Sequence, residues 1–199
     1  MKTKAILLSV LLLISGLSMA QRSGLKGGAN FANLYVDDVS DENMKLGLNL
    51  GLWHQSANGA VQTELTYSNK GAEIIYDGAL GSGKYRYNLN YLEVPVLFVG
   101  HIGDFNLHLG PYIGFLVGVN IKDVDSNGNV NGVAQLDRDD FNTLDYGLSG
   151  GAAFDFDASQ IGLRYNYGLR EIGKSGSFAG EAANNAKNSV LQLYVAFDF

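Results

Sequence analysis

Apolar and polar positions alternate with period two along most of this chain, the spacing of strands whose successive side chains point to opposite faces. The pattern is cleanest in the last stretch, Asn188 to Phe199. There Leu191, Leu193, Val195, Phe197 and Phe199 share one face, and Val190, Gln192, Tyr194, Ala196 and Asp198 share the other. The same alternation predicts a first strand from Ser23, with Leu25, Gly27, Ala29 and Phe31 opposed to Lys26, Gly28 and Asn30. A second, Lys45 to His54, sets four leucines against Lys45, Gly47, Asn49, Gly51 and Trp53, and a third, Ala60 to Ser68, sets Val61, Thr63, Leu65 and Tyr67 against Gln62, Glu64 and Thr66. The fourth ends in YLEVPVLFV from Tyr91, and its parity is ambiguous before that residue, so a bulge is expected there. The fifth, Phe105 to Val119, turns Phe105, Leu107, Leu109, Ile113, Phe115, Val117 and Val119 one way and Asn106, His108, Gly110, Tyr112, Gly114 and Gly118 the other. Phe141 to Phe154, then Ile161 to Arg170, then the closing stretch complete eight strands.

The connections alternate in length. Leu34 to Met44, Asn69 to Lys84, Asn120 to Asp140 and Glu171 to Lys187 are long and polar, whereas Gln55 to Gly59, Gly100 to Asp104 and the turn at Asp157-Ala158 are short. Antiparallel neighbours joined in this way carry all long loops at one end and all tight turns at the other, the layout of an outer-membrane barrel. A soluble calycin-like barrel would turn its apolar face inward. Here the polar face holds most of the glycines and charges, Lys26, Lys45, Arg164 and Arg170 against Glu64, Glu93, Asp145 and Asp198. That balance suits a narrow lumen, because an unpaired buried charge costs several kcal/mol and side chains just fill an eight-stranded barrel. The expected fold is therefore all-β, an eight-stranded antiparallel up-and-down transmembrane β-barrel with a plugged lumen. In it Arg170 faces Asp145, and the first strand closes against the last.

Aromatic positions fit two interfacial girdles. Phe98, Phe105, Phe154, Phe156, Phe197 and Phe199 lie toward the short turns, and Tyr35, Tyr67, Tyr87, Tyr165 and Tyr167 toward the long loops. Pro95 and Pro111 each remove a ladder donor at nearly one level, which predicts a bulge or kink where the fourth and fifth strands pair.

Composition changes the picture mainly at the N-terminus. Lys2 and Lys4, an apolar run from Ala5 to Ile14 and the small residues Ser18-Met19-Ala20 read as a signal peptide over residues 1–20, cleaved before Gln21, with the barrel domain over 21–199. Loss of those two lysines takes the formal charge from −6 to −8, a poor balance for binding nucleic acid. Cysteine is absent, which excludes disulfides, a thiol nucleophile and Cys-based zinc sites.

Candidate chemistry is sparse. His54 and His101 fall at the short-turn end and His108 in the lumen, without an evident nucleophile, so a lipid-modifying enzyme is the weaker alternative to a non-enzymatic barrel. Asp123, Asp125 and Asn127 occupy the first, third and fifth positions of a calcium-type loop, with Gly128 sixth, but Ala134 stands where a bidentate Glu belongs. The spacing otherwise fits a turn-rich loop. No cofactor motif is present: Gly51-Leu52-Trp53 matches a three-residue lipocalin signal on the wrong strand, and the LKGGAN segment precedes no helix.

GLKGGANFANL, YLEVPVLF, GPYIGFLVG, DYGLSGGAAFDF, IGLRYNYGL and LQLYVAFDF, in that order, resemble the PorT-type outer-membrane β-barrel family of Gram-negative bacteria. The resemblance implies an integral outer-membrane protein and offers no catalytic residues to transfer. Some of its members are implicated in protein secretion and gliding-type systems. The expected partners are outer-membrane lipid, the barrel-assembly machinery during biogenesis, and a secretion-system or extracellular protein. The favoured role is a scaffold or binding protein, with an accessory secretion component and a narrow channel as alternatives. Phe199, preceded by apolar residues at alternate positions, resembles the C-terminal signal read by the assembly machinery. Deletion of Phe199, or Phe199→Asp, is expected to lower the yield of inserted protein more than a change at Asp198, measured as the heat-modifiable band in outer-membrane fractions.

Overall fold

The computed structural model describes residues 22–35, 44–78, 81–125, 130–174, 176 and 186–199; the expected signal peptide, residues 1–20, lies outside them. Eight staves are present: β1 (Arg22–Tyr35), β2 (Lys45–Gln55), β3 (Val61–Lys70), β5 (Gly81–Ile102), β6 (Phe105–Asp125), β8 (Leu144–Phe156), β9 (Ser159–Glu171) and β10 (Lys187–Asp198). Two short strands, β4 (Glu73–Gly78) and β7 (Val130–Gln135), join them. Each stave pairs antiparallel with its neighbours in chain order, and β1 closes on β10 from Gly24↔Asp198 to Tyr35↔Lys187. The predicted seam is thus where the alternation placed it, and the Phe199 amide extends it by donating to the Ser23 carbonyl at 3.0 Å.

The outward face is apolar. Leu46, Leu48 and Leu50 are 67%, 68% and 64% exposed, and Leu107, Leu109, Leu163, Leu193 and Val195 are likewise exposed, while their alternate neighbours are buried. Leucine rows of this kind make sense only against lipid. At the turn end Phe98, Phe105, Phe156, Phe197 and Phe199 are exposed. Phe154 packs between Phe105 and Phe156, with ring centroids 4.9 and 4.7 Å away. Tyr67, Tyr146 and Tyr165 are exposed toward the other end, and the Tyr35 side chain lies outside the described set.

Three short turns close one end, and each contains a residue in the left-handed region: Gly59 (φ 71°), Gly103 (φ 62°) and Asp157 (φ 43°). Two are met by glycine, which has no Cβ to clash, and one by aspartate, which tolerates that conformation better than most side chains.

The other end departs from expectation. Asn69 to Lys84 and Asn120 to Asp140, expected as long polar loops, contain β4 and β7. β3 and β4 keep one register against β5, Lys70↔Leu89 and then Glu73↔Arg86, so they are a single stave interrupted at Gly71-Ala72. β5 and β6 run for 22 and 21 residues and carry a four-stranded sheet, β4-β5-β6-β7, beyond the closed barrel.

The bulge lies at the expected level, between Asn90 and Tyr91, but the pairings Asn90↔Gly118 and Tyr91↔Leu116 put the extra residue, Val117, on β6. Leu89, Tyr91 and Glu93 therefore stay on one inward face of β5, and β6 changes parity instead. Val119, expected outward, is consequently buried with Leu116. At the prolines the register is constant, Pro95↔Tyr112 on the mouth side and Phe98↔Leu109 on the turn side of the gap, so the bulge expected there as one of two outcomes is not at the prolines.

Inner glycines let bulky lumen side chains lie flat on the wall. A Cβ on Gly162 would fall within the Tyr194 ring, which is itself 1% exposed, whereas one on Gly100 meets nothing within 4 Å. Gly162→Ala is expected to destabilise the barrel by about 1–3 kcal/mol through overpacking, and Gly100→Ala by no more than about 0.5 kcal/mol, measured by urea unfolding in lipid vesicles.

Candidate functional site

The lumen is built by the inward positions of all eight staves, and its charges fall into two clusters. Near the turn end Glu64 accepts from Lys26 at 3.0 Å, from the Arg164 Nη1 at 2.8 and 2.9 Å, and from the Gln62 amide at 2.7 Å. The Tyr194 ring lies under both cations, 4.0 Å from the Lys26 Nζ and 5.2 Å from the Arg164 guanidinium, a cation–π arrangement that desolvation strengthens. His108 sits beside this group, its Nδ1 3.4 Å from both Arg164 and the Tyr194 hydroxyl.

Nearer the mouth Lys70 lies 2.5 Å from Glu93 and donates to Asp145 at 3.1 Å. Asp145 also accepts from Asn188 at 2.9 Å and from the Tyr112 hydroxyl at 3.2 Å. Neutral amides and hydroxyls separate the clusters, among them Asn49 to Asn30 at 2.7 Å, Asn30 to Ser68 at 3.0 Å and Ser149 to Asn166 at 2.7 Å. The seven ionic side chains Lys26, Lys45, Lys70, Arg164, Glu64, Glu93 and Asp145 are each no more than 4% exposed.

Above the second cluster, Leu89, Tyr91, Leu116, Val119, Phe141, Ile172 and Ala186 form a buried apolar layer across the mouth. It is fastened by backbone bonds from Leu116 to Thr143, Asn142 to Ile172 and Ile172 to Ala186 at 2.7–2.9 Å.

Five predicted lumen residues meet carboxylate or cation partners as a set: Lys26, Glu64 and Arg164 in one cluster, Glu93 and Asp145 in the other. The remaining three require correction. Arg170 donates to the Asn142 side chain at 3.3 Å and not to Asp145, whose cation is Lys70. Lys45 is satisfied by the Asn69 side chain and the Lys70 carbonyl, without a carboxylate. Asp198 is at the turn-end rim, where it accepts from Arg22 at 2.8 Å, and Arg22 also reaches Asp155 at 3.3 Å. The alternation reading ends the third strand at Ser68 and so leaves out Lys70, although the run Gln62, Glu64, Thr66, Ser68 continues two residues further on the same parity and carries the signal for it.

The calcium-type spacing is not presented as a loop: β6 runs through Asp125, so Asp123 and Asp125 are strand residues, while Asn127 lies outside the described residues. Among the described residues no group of three or more His, Asp or Glu side chains is arranged to hold a metal. His54 Nδ1 is 2.9 Å from the Ser23 Oγ on the outer face at the turn end, and His101 is exposed beside a turn.

On the extension, Glu73 pairs with Arg86 at 2.6 Å and with Lys84 at 2.9 Å. Burial alone would raise its carboxyl, but the two cations outweigh that and hold it below the usual carboxylate range. β7 is an edge strand whose six residues are all exposed.

Residues 19–173 match the family described as outer membrane protein beta-barrel domain. The fold is similar to that of Ail, the attachment invasion locus protein of Yersinia pestis, solved in complex with the heparin analogue sucrose octasulfate. That similarity has a TM-score of 0.52 at 14% identity and covers 91% of this chain and 100% of that one. Neisserial surface protein A is similar at a TM-score of 0.53 and 11% identity, covering 89% and 97%. At these identities the likeness is one of fold. No curated protein matches the sequence.

Glu64→Gln removes the carboxylate that both Lys26 and Arg164 need, and leaves two cations buried together. The expected loss is about 3–5 kcal/mol. Arg22→Gln breaks half-exposed pairs at the rim and is expected to lose no more than about 1 kcal/mol. Urea unfolding of the two variants side by side in vesicles measures the difference.

Proposed function

Because the chain belongs to the outer membrane protein beta-barrel domain family, we propose that it is a non-enzymatic scaffold or binding protein of the outer membrane whose lumen conducts nothing and whose working surface is the extension beyond the barrel. The observation that carries this reading is the paired, buried charge of the lumen beneath the apolar layer of Leu89, Tyr91, Leu116, Val119, Phe141, Ile172 and Ala186. An ion crossing the barrel would have to break the ion pairs of Lys26–Glu64–Arg164 and Lys70–Glu93–Asp145, each rupture costing several kcal/mol. The chain instead invests its longest strands, β5 and β6, in a sheet that projects past the lipid.

Export through a signal peptide over residues 1–20 and insertion guided by Phe199 belong to the same proposal. The order of motifs shared with PorT-type barrels supports a second reading, an accessory component of a secretion or gliding-type machine. Site-specific crosslinking from the turn end to large membrane or periplasmic proteins would favour it over a free-standing barrel.

Planar-bilayer recordings of the purified, heat-modifiable protein are expected to show no discrete conductance steps, and Lys70→Ala is expected to remain silent while the apolar layer is intact. Resolved steps from the unaltered protein would refute the closed lumen. Turnover of labelled lipopolysaccharide or phospholipid by the same preparation would refute the non-enzymatic reading.

A further inference from the structure

The outward face of β5 and β6 changes chemistry in an ordered way from the membrane outward. Leu92 and Phe115, a cross-strand pair, are 39% and 45% exposed to lipid. Next comes Asn90, which accepts from the girdle residue Tyr67 at 2.8 Å and from Asn69 at 2.7 Å. Above it Asn88 is paired with Asn120 and donates to it at 3.0 Å. The following row is cationic: Arg86 stands directly across from Lys122, with Glu73 on the other side of Arg86, and Lys84 occupies the row beyond. Strand alternation places Asp123 and Asp125 on the opposite face.

Like charges directly opposed across strands destabilise a sheet, and the one acidic side chain of the row, Glu73, is shared between Arg86 and Lys84. Three cations, Arg86, Lys122 and Lys84, thus stand near one carboxylate in a chain whose net charge is −6. By strand alternation Arg86 and Lys84 share the parity of the lipid-exposed Leu92, and Arg86 with Lys122 lies about four residues above the tyrosine–asparagine level. At roughly 3.4 Å per residue and a stave tilt of about 40°, this is on the order of 10 Å above the girdle, the depth of the headgroup region.

We propose that Arg86 and Lys122, supported by Lys84, bind the phosphate groups of the glycolipid that forms the outer leaflet around the barrel. A phosphate oxygen between the two cations turns their mutual repulsion into two charge-assisted hydrogen bonds, and the planar guanidinium suits a bidentate contact. Glu73 holds Arg86 and Lys84 in place from behind and keeps the row from collapsing onto the amides below. The site is independent of whether the lumen conducts. It gives the extension a second attachment to the membrane beyond the strands that span it.

The test uses the full barrel in nanodiscs, titrated with diphosphorylated lipid A and, separately, with the same lipid after enzymatic removal of its phosphates. The Arg86→Gln/Lys122→Gln double variant is expected to bind the phosphorylated lipid about 30-fold more weakly than the unaltered protein, the effect of two surface cations on an anionic lipid. Arg138→Gln, an exposed cation on the same side of the membrane, should bind as the unaltered protein does, and the charge-keeping Arg86→Lys/Lys122→Arg pair should retain most of the affinity. If the double glutamine variant loses the heat-modifiable form, Lys122→Gln alone carries the expectation, at about fivefold. Affinity should also fall as salt rises from about 50 to about 500 mM. Equal binding by the unaltered protein and the folded glutamine variants, or equal binding of the dephosphorylated lipid, would overturn the site. Soluble inositol hexakisphosphate displacing the lipid at equimolar concentration would overturn its assignment to the membrane.

Discussion

Every backbone amide and carbonyl that faces hydrocarbon must find a partner within the protein, and this constraint shapes the molecule more than any side chain does. A strand satisfies half of its groups on each side, so an open sheet would leave two unsatisfied rows in lipid. Closure of β1 on β10 removes both rows. The constraint lapses above the membrane, where water can serve the edges. Among the described residues β4 and β7 are the ends of the sheet there, and the same long strands β5 and β6 that are staves below become the centre of a four-stranded sheet above. The change from barrel to open sheet therefore marks where the lipid stops.

Closure with eight strands leaves an interior about as wide as its side chains, and what fills it follows from the first constraint. The outward face is committed to lipid, so the polar residues have nowhere to go but inward. Once there they are removed from water and must satisfy one another. Two solutions appear, one carboxylate between two cations at Glu64 and one cation between two carboxylates at Lys70, with aromatic rings of Tyr194, Tyr91 and Tyr112 laid against the cations. The clusters carry opposite excess charge and are kept apart by amides and hydroxyls. Apolar side chains also pack together at the mouth, and Phe141 and Ile172 belong to that cluster although neither lies in a stave.

The described residues offer no metal cluster, and the lumen histidine is packed among Arg164 and Tyr194. Beyond the barrel, among the described residues, lie the exposed edge strand β7 and the cross-strand cations Arg86 and Lys122.

The alternation of residues alone determined that the chain is a barrel, how many staves it has, which face meets lipid and where the ends join. Burial with period two is a local property, and lipid demands it of every strand, so leucine rows such as Leu46, Leu48 and Leu50 can be read without knowing their neighbours. Six of the eight expected charges, Lys26, Lys45, Glu64, Glu93, Asp145 and Arg164, are buried in the lumen for the same reason. Their partners are not legible in the alternation. Glu64 and Arg164 are 100 residues apart in the chain and Lys70 and Asp145 are 75 apart, and their meeting depends on strand stagger and on side-chain reach across the lumen. One extra residue at Val117 reverses the parity of the upper half of β6, burying Val119 and bringing Lys122 level with Arg86. That insertion has no signature in β6 itself, because Val117 and Val119 are equally apolar; only the pairing with β5 decides which of them faces lipid.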